Sequence, residues 1–266
     1  MNRKAGVLFY MKKQSKGKVK SREVTAALLM AAGRGTRIRP LSELTPKPLI
    51  KVNGIPMIES IIRAIKGAGI DKIIITVGYK KESFYYLRKL YENIIFIENK
   101  EYGKKNTISS FYAAMNAIQN ENCLVCESDL YIADPAIIKG EIDKSRYLLE
   151  STKPQNYEWG FHLEGGIVKK VVRPNAKVYL DHRMYGVAYW VREDLDALIK
   201  AVDEAYKNEG HEQKAYDEIG NEIFGQIDMG VIRVNEDQIY EIDTLDDLVK
   251  VDVSYEAYLK KIAAGR

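Results

Sequence analysis

Positive side chains gather around a glycine-bearing loop near the start of the chain. Gly33-Arg-Gly35-Thr36-Arg37 follows an apolar run, Ala26 to Met30, that reads as a buried strand. Glycines let backbone N–H groups approach an oxyanion closely. Arg37, Arg39 and Lys47 add positive charge on that side of the strand. This arrangement suits a polyphosphate and predicts a nucleoside triphosphate site. Two acids supply the complement. Asp129 and Asp243 each fall where a strand leaves the sheet, and ligands of open α/β sheets bind beyond the strand C-termini. Mg²⁺ takes one or two carboxylates with phosphate oxygens and water. Asp129 and Asp243 are therefore the expected Mg²⁺ ligands, with Lys47 and Arg37 neutralising charge on the reacting phosphates.

The later part of the chain offers a different chemistry. Tyr157, Trp159, Tyr179, Tyr185, Tyr189, Trp190 and Tyr216 alternate with Glu158, Asp181 and Asp217. Aromatic faces hold quaternary ammonium groups at about 0.5–2 kcal/mol per contact, and a nearby carboxylate suits any ammonium. Glu158, Trp159, Tyr185, Tyr189 and Asp217 are the expected wall for a cationic acceptor. The nucleophile is then a phosphate or phosphonate oxygen, already ionised near neutral pH. No general base is required, and His162, His182 and His211 have no sequence partner that marks them as one.

These groups need elements to hold them. Ile58, Ile61, Ile62 and Ile65 mark a helix face within Met57 to Lys66. Lys72 to Val77, Ile94 to Glu98 and Cys123 to Glu127 read as strands, alternating with helices over Glu82 to Tyr91 and from Asn106 or Thr107 to about Ile118. Such alternation predicts an α/β fold with a parallel sheet and helices on both faces. After Asp134 the pattern turns to strands over 146–150, 159–163, 167–172 and 185–191. A long helix over 193–207, a second over 215–224 and short strands at 230–234 and 239–242 follow. Thr244 caps a last helix to about Lys261. The expected organisation is a basic extension, 1–24, and one domain, 25–250, completed by a C-terminal helix, 251–266. Within the domain a nucleotide half, 25–145, and an acceptor half, 146–243, pack together.

Composition narrows the classes. A hydrophobic content of 46% is that of an ordinary globular chain. No apolar run is long enough to span a bilayer, and Cys123 and Cys126 set no disulfide framework, so a cytoplasmic protein without a membrane partner is expected. Eight Lys/Arg and one Glu crowd residues 1–24, whereas the whole chain carries only +4. The body is thus not basic, and nucleic acid is not the expected partner. A dinucleotide fingerprint fails because Ile38 stands in place of its third glycine, and no Walker P-loop is present.

Taken whole, Ala31-Ala32-Gly33-x-Gly35-Thr36-Arg37 with Thr45-Pro-Lys47-Pro resembles the signature of nucleotidyltransferases that activate sugar and alcohol phosphates. Val77-Gly78-Tyr79, Asn106-Thr-Ile-Ser-Ser110, Tyr157-Glu158-Trp159 and Tyr185-Gly-Val-Ala-Tyr-Trp190 extend the likeness over about residues 25–250. It is the bacterial CTP:phosphocholine cytidylyltransferases that this order resembles. That resemblance implies a Rossmann-like nucleotidyltransferase fold, with a mostly parallel mixed sheet and Mg²⁺ dependence. It implies CMP transfer from CTP to a phosphorylated amino alcohol, phosphocholine first, with 2-aminoethylphosphonate and phosphoethanolamine as alternatives. It assigns phosphate contacts to Gly33–Arg37 and Lys47, and base reading to Ala31–Gly33, Gly78 and Asn106. Glu127 stands where the family often has the first Asp of D-x-D. Lys104-Lys-Asn-Thr replaces a segment typical of the sugar-phosphate branch. A non-catalytic nucleotide-binding module is the reading from another class, and intact Lys47, Asp129 and Asp243 argue against it.

Overall fold

The computed structural model describes residues 21–175 and 177–264. Its centre is a seven-stranded mixed sheet. The strands run, edge to edge, Gly230–Val234, Arg146–Gln155, Leu180–Trp190, Cys123–Glu127, Ala26–Ala31, Lys72–Val77 and Ile94–Glu98. The last four are parallel neighbours, while Leu180–Trp190 runs antiparallel to both strands beside it. All six residues of Ala26–Ala31 are buried. Continuous apolar runs of this kind belong to strands covered on both faces.

Side-chain alternation divides the core in two. Ala27 and Leu29 face a cluster with Ile58, Ile61, Ile62 and Ile65 of the Met57–Gly67 helix. Ala26, Leu28 and Met30 face the other way, onto Ile108, Phe111, Ala114 and Ile118 of helix Ile108–Ile118. Leu195, Leu198 and Val202 of helix Arg192–Lys207 complete that second layer. The expected helices on both faces are therefore present. Cys123 and Cys126 are both buried and unbonded, one in each layer.

Three expected elements differ. Residues 82–91 form a 3-10 turn, Lys81–Phe84, and one helical turn, Leu87–Leu90, rather than a continuous helix. Only Phe84 and Leu87 are buried there, too few to extend an apolar face. The 215–224 helix stops at Gly220. The last helix is broken into Leu245–Val251, Val253–Tyr255 and Glu256–Ala264. Asp252 makes that break, because its carboxylate accepts from Ser254 N at 3.0 Å and from Asn53 N at 2.8 Å.

Sequence reasoning also missed a short ribbon. Leu130–Ile132 pairs antiparallel with Ile239–Glu241, with Glu241 opposite Leu130. Ile242 N then donates to the Asp129 carbonyl at 3.0 Å. This ribbon brings Asp129 and Asp243 to one place. Of the expected extension, residues 1–20 lie outside the described residues, and Arg22–Glu23 pairs with Glu141–Ile142. Among the described residues, no helix is long and apolar enough to cross a membrane.

Candidate active site

A cleft of about 530 Å³ opens at the C-terminal ends of the parallel strands. Ala31, Ala32, Gly33, Gly35, Thr36 and Arg37 line one side, joined by Asn106 at the start of helix Ile108–Ile118. Lys47, Asp129 and Asp243 lie along it, and Glu158, Trp159 and Asp217, three of the expected acceptor residues, line it as well. The volume is that of a small-ligand site.

The loop and the lysine interlock. Gly35 takes φ 59°, in the left-handed region, and a Cβ there would stand 2.7 Å from Lys47 Cβ. Only glycine meets both demands. Pro46 and Pro48 flank Lys47 at the 3-10 turn Lys47–Leu49, leaving the lysine stem buried against the loop. Its ammonium then reaches two acids. Lys47 Nζ donates to Asp129 Oδ2 at 2.8 Å and to Asp243 Oδ1 at 2.6 Å. Arg37 reaches the other Asp243 oxygen at 2.7 Å.

Burial acts on Lys47 to lower its pKa, but the two carboxylates outweigh it and the ammonium is held above its usual value. Asp129 shows the mirror effect. Burial pushes its carboxyl up, while the Lys47 charge and hydrogen bond hold it below the usual range. Further acids crowd the same floor. Oxygens of Glu127, Asp129 and Glu241 all lie within 4.8 Å of one another. Glu127 is raised well above the carboxylate range by burial and by the charges of Asp129, Asp217 and Glu241. Gly186 leaves the space for it, since a Cβ there would meet Glu127 Cγ at 2.6 Å.

Two expected acceptor residues are elsewhere. Tyr185 and Tyr189 are fully buried and do not line the cleft. Alternation along Leu180–Trp190 explains this: Met184 and Gly186 face the cleft, and Tyr185, Val187 and Tyr189 join the opposite layer. Tyr185 donates to Glu150 Oε2 at 2.7 Å, and Tyr189 accepts from Lys139 N at 2.8 Å. Gly78 also lies off the cleft wall. The Tyr102 ring covers it, 2.6 Å from where a Cβ would be, and Tyr102 lines the cleft instead. None of the three histidines lines it.

Asp217 is almost wholly buried at the cleft lining and accepts from the Tyr147 hydroxyl at 2.9 Å. Burial pushes its carboxyl up to about 6. Burial also raises Glu158, against the nearby Arg183 charge. Sequence reasoning missed Glu241, Tyr102 and Lys105 in the cleft lining. A period-two signal was available for Glu241, which lies two residues before Asp243 at the end of strand Ile239–Glu241.

Residues 27–149 match the MobA-like NTP transferase domain family. A 2-aminoethylphosphonate cytidylyltransferase of Lancefieldella rimae is 37% identical over 239 residues, spanning 90% of this chain and 96% of that protein. The chain belongs to the cytidylyltransferases. A choline-phosphate cytidylyltransferase of Streptococcus pneumoniae is 30% identical over 226 residues, covering 85% of this chain and 96% of the relative. The solved CTP:phosphocholine cytidylyltransferase of that organism superposes with a TM-score of 0.79 at 29% identity, over 88% of this chain and 100% of the other. The α/β nucleotidyltransferase fold expected from the sequence is thus shown for this cytidylyltransferase.

Proposed function

We propose that this cytidylyltransferase transfers CMP from CTP to a small phosphonate or phosphate that carries a primary ammonium group, 2-aminoethylphosphonate first and phosphoethanolamine second. An oxygen of the acceptor attacks the α-phosphorus of CTP, the bond to the β-phosphate oxygen breaks, and pyrophosphate leaves. One observation carries the choice of acceptor: Tyr185 and Tyr189 turn away from the cleft. Trp159 and the exposed Tyr157 are the aromatic groups left on the acceptor wall, beside Glu158 and Asp217. A primary ammonium is held by carboxylates that accept its hydrogen bonds, whereas trimethylammonium needs a cage of rings. The likeness to the Lancefieldella rimae protein supports the phosphonate.

Lys47 and Arg37 neutralise phosphate charge, and the Gly33–Arg37 loop offers backbone N–H groups to it. The donor set fits Mg²⁺. Its ligands are hard oxygens, and Asp129 Oδ1 is shielded from solvent with no hydrogen-bond partner. Asp129 and Asp243 would hold the ion, with Glu127 and Glu241 beside them, and it would supply charge neutralisation for the triphosphate.

Pyrophosphate release with CTP tests the reading against 2-aminoethylphosphonate, phosphoethanolamine, phosphocholine and glucose 1-phosphate. The expected kcat/KM favours the two primary amines over phosphocholine by about tenfold or more. Equal or better use of phosphocholine overturns it.

Asp217 gives a second check. Its folded-state carboxyl titrates near 6 rather than at 3.8, so the folded protein binds this proton more tightly than the unfolded chain. That contribution is present at acid pH and is lost as pH rises from about 4 to 6. Asp217→Asn removes the buried charge and keeps an acceptor for Tyr147. The variant should gain about 1–3 kcal/mol of stability at pH 7 while its KM for the ammonium acceptor rises. A thermal melt and acceptor kinetics read the two effects. Lower stability with unchanged KM makes Asp217 a structural group.

A further inference from the structure

Arg173 does not line the cleft, but it grips both of its walls. The guanidinium carbon lies 5.3 Å from the Trp159 ring centroid. Nε donates to Glu218 Oε1 at 2.6 Å, and Nη2 donates to Glu218 Oε2, closing a two-pronged pair. Nη2 donates as well to the Gln213 carbonyl at 2.7 Å. That same carbonyl accepts from Asn106 Nδ2 at 3.2 Å, and Asn106 N donates to the Glu212 carbonyl at 2.7 Å. Trp159 and Asn106 both line the cleft, the first on the wall proposed above for the acceptor and the second on that proposed for the nucleotide. One carbonyl therefore joins the two.

The reason such a tie is needed lies in the local fold. Trp159 precedes Gly160–Glu164 and Arg173 follows Ile167–Val172, two strands that form a ribbon separate from the main sheet. Gly160 pairs with Val172, so the residues just outside both ends are neighbours. Among the described residues no strand ladder joins the ribbon to the seven-stranded sheet. Met184 N donates to the Trp159 carbonyl at 2.8 Å, which fixes the Trp159 backbone and leaves its indole for Arg173 to hold. A guanidinium is suited to the task. Its planar fork fixes a carboxylate in two places while its face stacks on an indole, and a lysine does neither.

The geometry points to Arg173 as a positioning residue: it holds Trp159 at a set distance from the nucleotide wall, and so sets the spacing at which the acceptor's ammonium end and CTP are bound together. This rests on the reading that Trp159 belongs to the acceptor wall. Arg173 touches no reacting atom. It acts through Trp159 on one side and through the 212–218 segment on the other.

Arg173→Met, which keeps an aliphatic stem and loses the fork, tests the role, with Arg173→Lys and Glu218→Gln beside it. All are made in a Trp190→Phe background, leaving Trp159 as the one tryptophan of the two in the chain. Trp190 Nε1 has no hydrogen-bond partner, so that background sacrifices no such bond. Misplacing a binding group by a fraction of an ångström should raise the KM for 2-aminoethylphosphonate about tenfold in Arg173→Met. The KM for CTP should change by less than about twofold, because Asn106 keeps its bond to the Glu212 carbonyl. Acrylamide quenching of Trp159 should increase as its covered face opens. Arg173→Lys should retain little of the effect of arginine, and Glu218→Gln should shift quenching and acceptor KM in the same direction. If Arg173→Met fails to fold, Glu218→Gln decides alone. Unchanged quenching and unchanged acceptor KM in folded variants overturn the proposal. So does an equal rise in both KM values with a lowered melting temperature, the signature of a general structural role. Quenching needs no substrate, so an enzyme that ignores 2-aminoethylphosphonate sinks the acceptor reading and leaves this test intact.

Discussion

Asp129→Ala and Asp243→Ala each lose turnover by about 10³-fold or more, the loss expected when several kcal/mol of charge stabilisation at the reacting phosphates is removed. Both carboxylates reach one ammonium, and neither serves a helix or strand ladder with its side chain. Circular dichroism of the variants should therefore match that of the parent. Pyrophosphate release across a Mg²⁺ titration is the measurement. Near-normal, Mg²⁺-dependent turnover in a folded variant would exclude that residue as a ligand. Asp243→Ala has a second consequence, since it also frees Arg37 from its partner at 2.7 Å.

Lys47→Met should be as inactive, and it should also be less stable. A lysine between two prolines reads, in sequence, as a residue kept for the site alone. The structure gives it a second duty, because its buried ammonium compensates two carboxylates. Removing one member of a buried ionic group leaves charge uncompensated, at a cost of about 3–5 kcal/mol. The pH dependence has a definite sign. Asp129 is held below its usual range, so its pairing contributes stability above the unfolded carboxylate value and loses it as pH falls through the lower folded value. Lys47 is held above its usual value, so its share is complete at neutral pH and disappears only in strong alkali. The gap in melting temperature between parent and Lys47→Met, measured without divalent ions, should be full near pH 7 and should narrow below about pH 4. Introducing Asp129→Asn into Lys47→Met should recover part of the loss. Undiminished stability in Lys47→Met would show that the carboxylates are compensated by solvent.

The sequence carried the nucleotide half well because its signals are local. The Gly33–Arg37 loop, the isoleucine face of Met57–Gly67 and the apolar strands Ala26–Ala31 and Lys72–Val77 each declare themselves within a few residues. The acceptor half was harder, since side-chain direction depends on strand register. Tyr185 and Tyr189 have the right chemistry for a cation and the wrong parity on their strand. Glu158 and Trp159 reach the cleft from a loop, where no periodicity applies. Arg173 was invisible for another reason: its partners Glu218, Gln213 and Trp159 come together only through tertiary packing.

The short ribbon of Leu130–Ile132 and Ile239–Glu241 bears on how the chain matures. During synthesis the parallel strands and Lys47 emerge long before residue 239. Domains fold progressively as they leave the ribosome, yet this pairing closes a long loop and cannot begin until almost the whole chain exists. A nascent or truncated product ending short of Ile239 has the triphosphate loop, Lys47 and Asp129, but lacks Asp243. With Asp243 in its proposed role at the reacting phosphates, transfer competence would arrive last, in a single late pairing event, and chains ending short of it would be inactive.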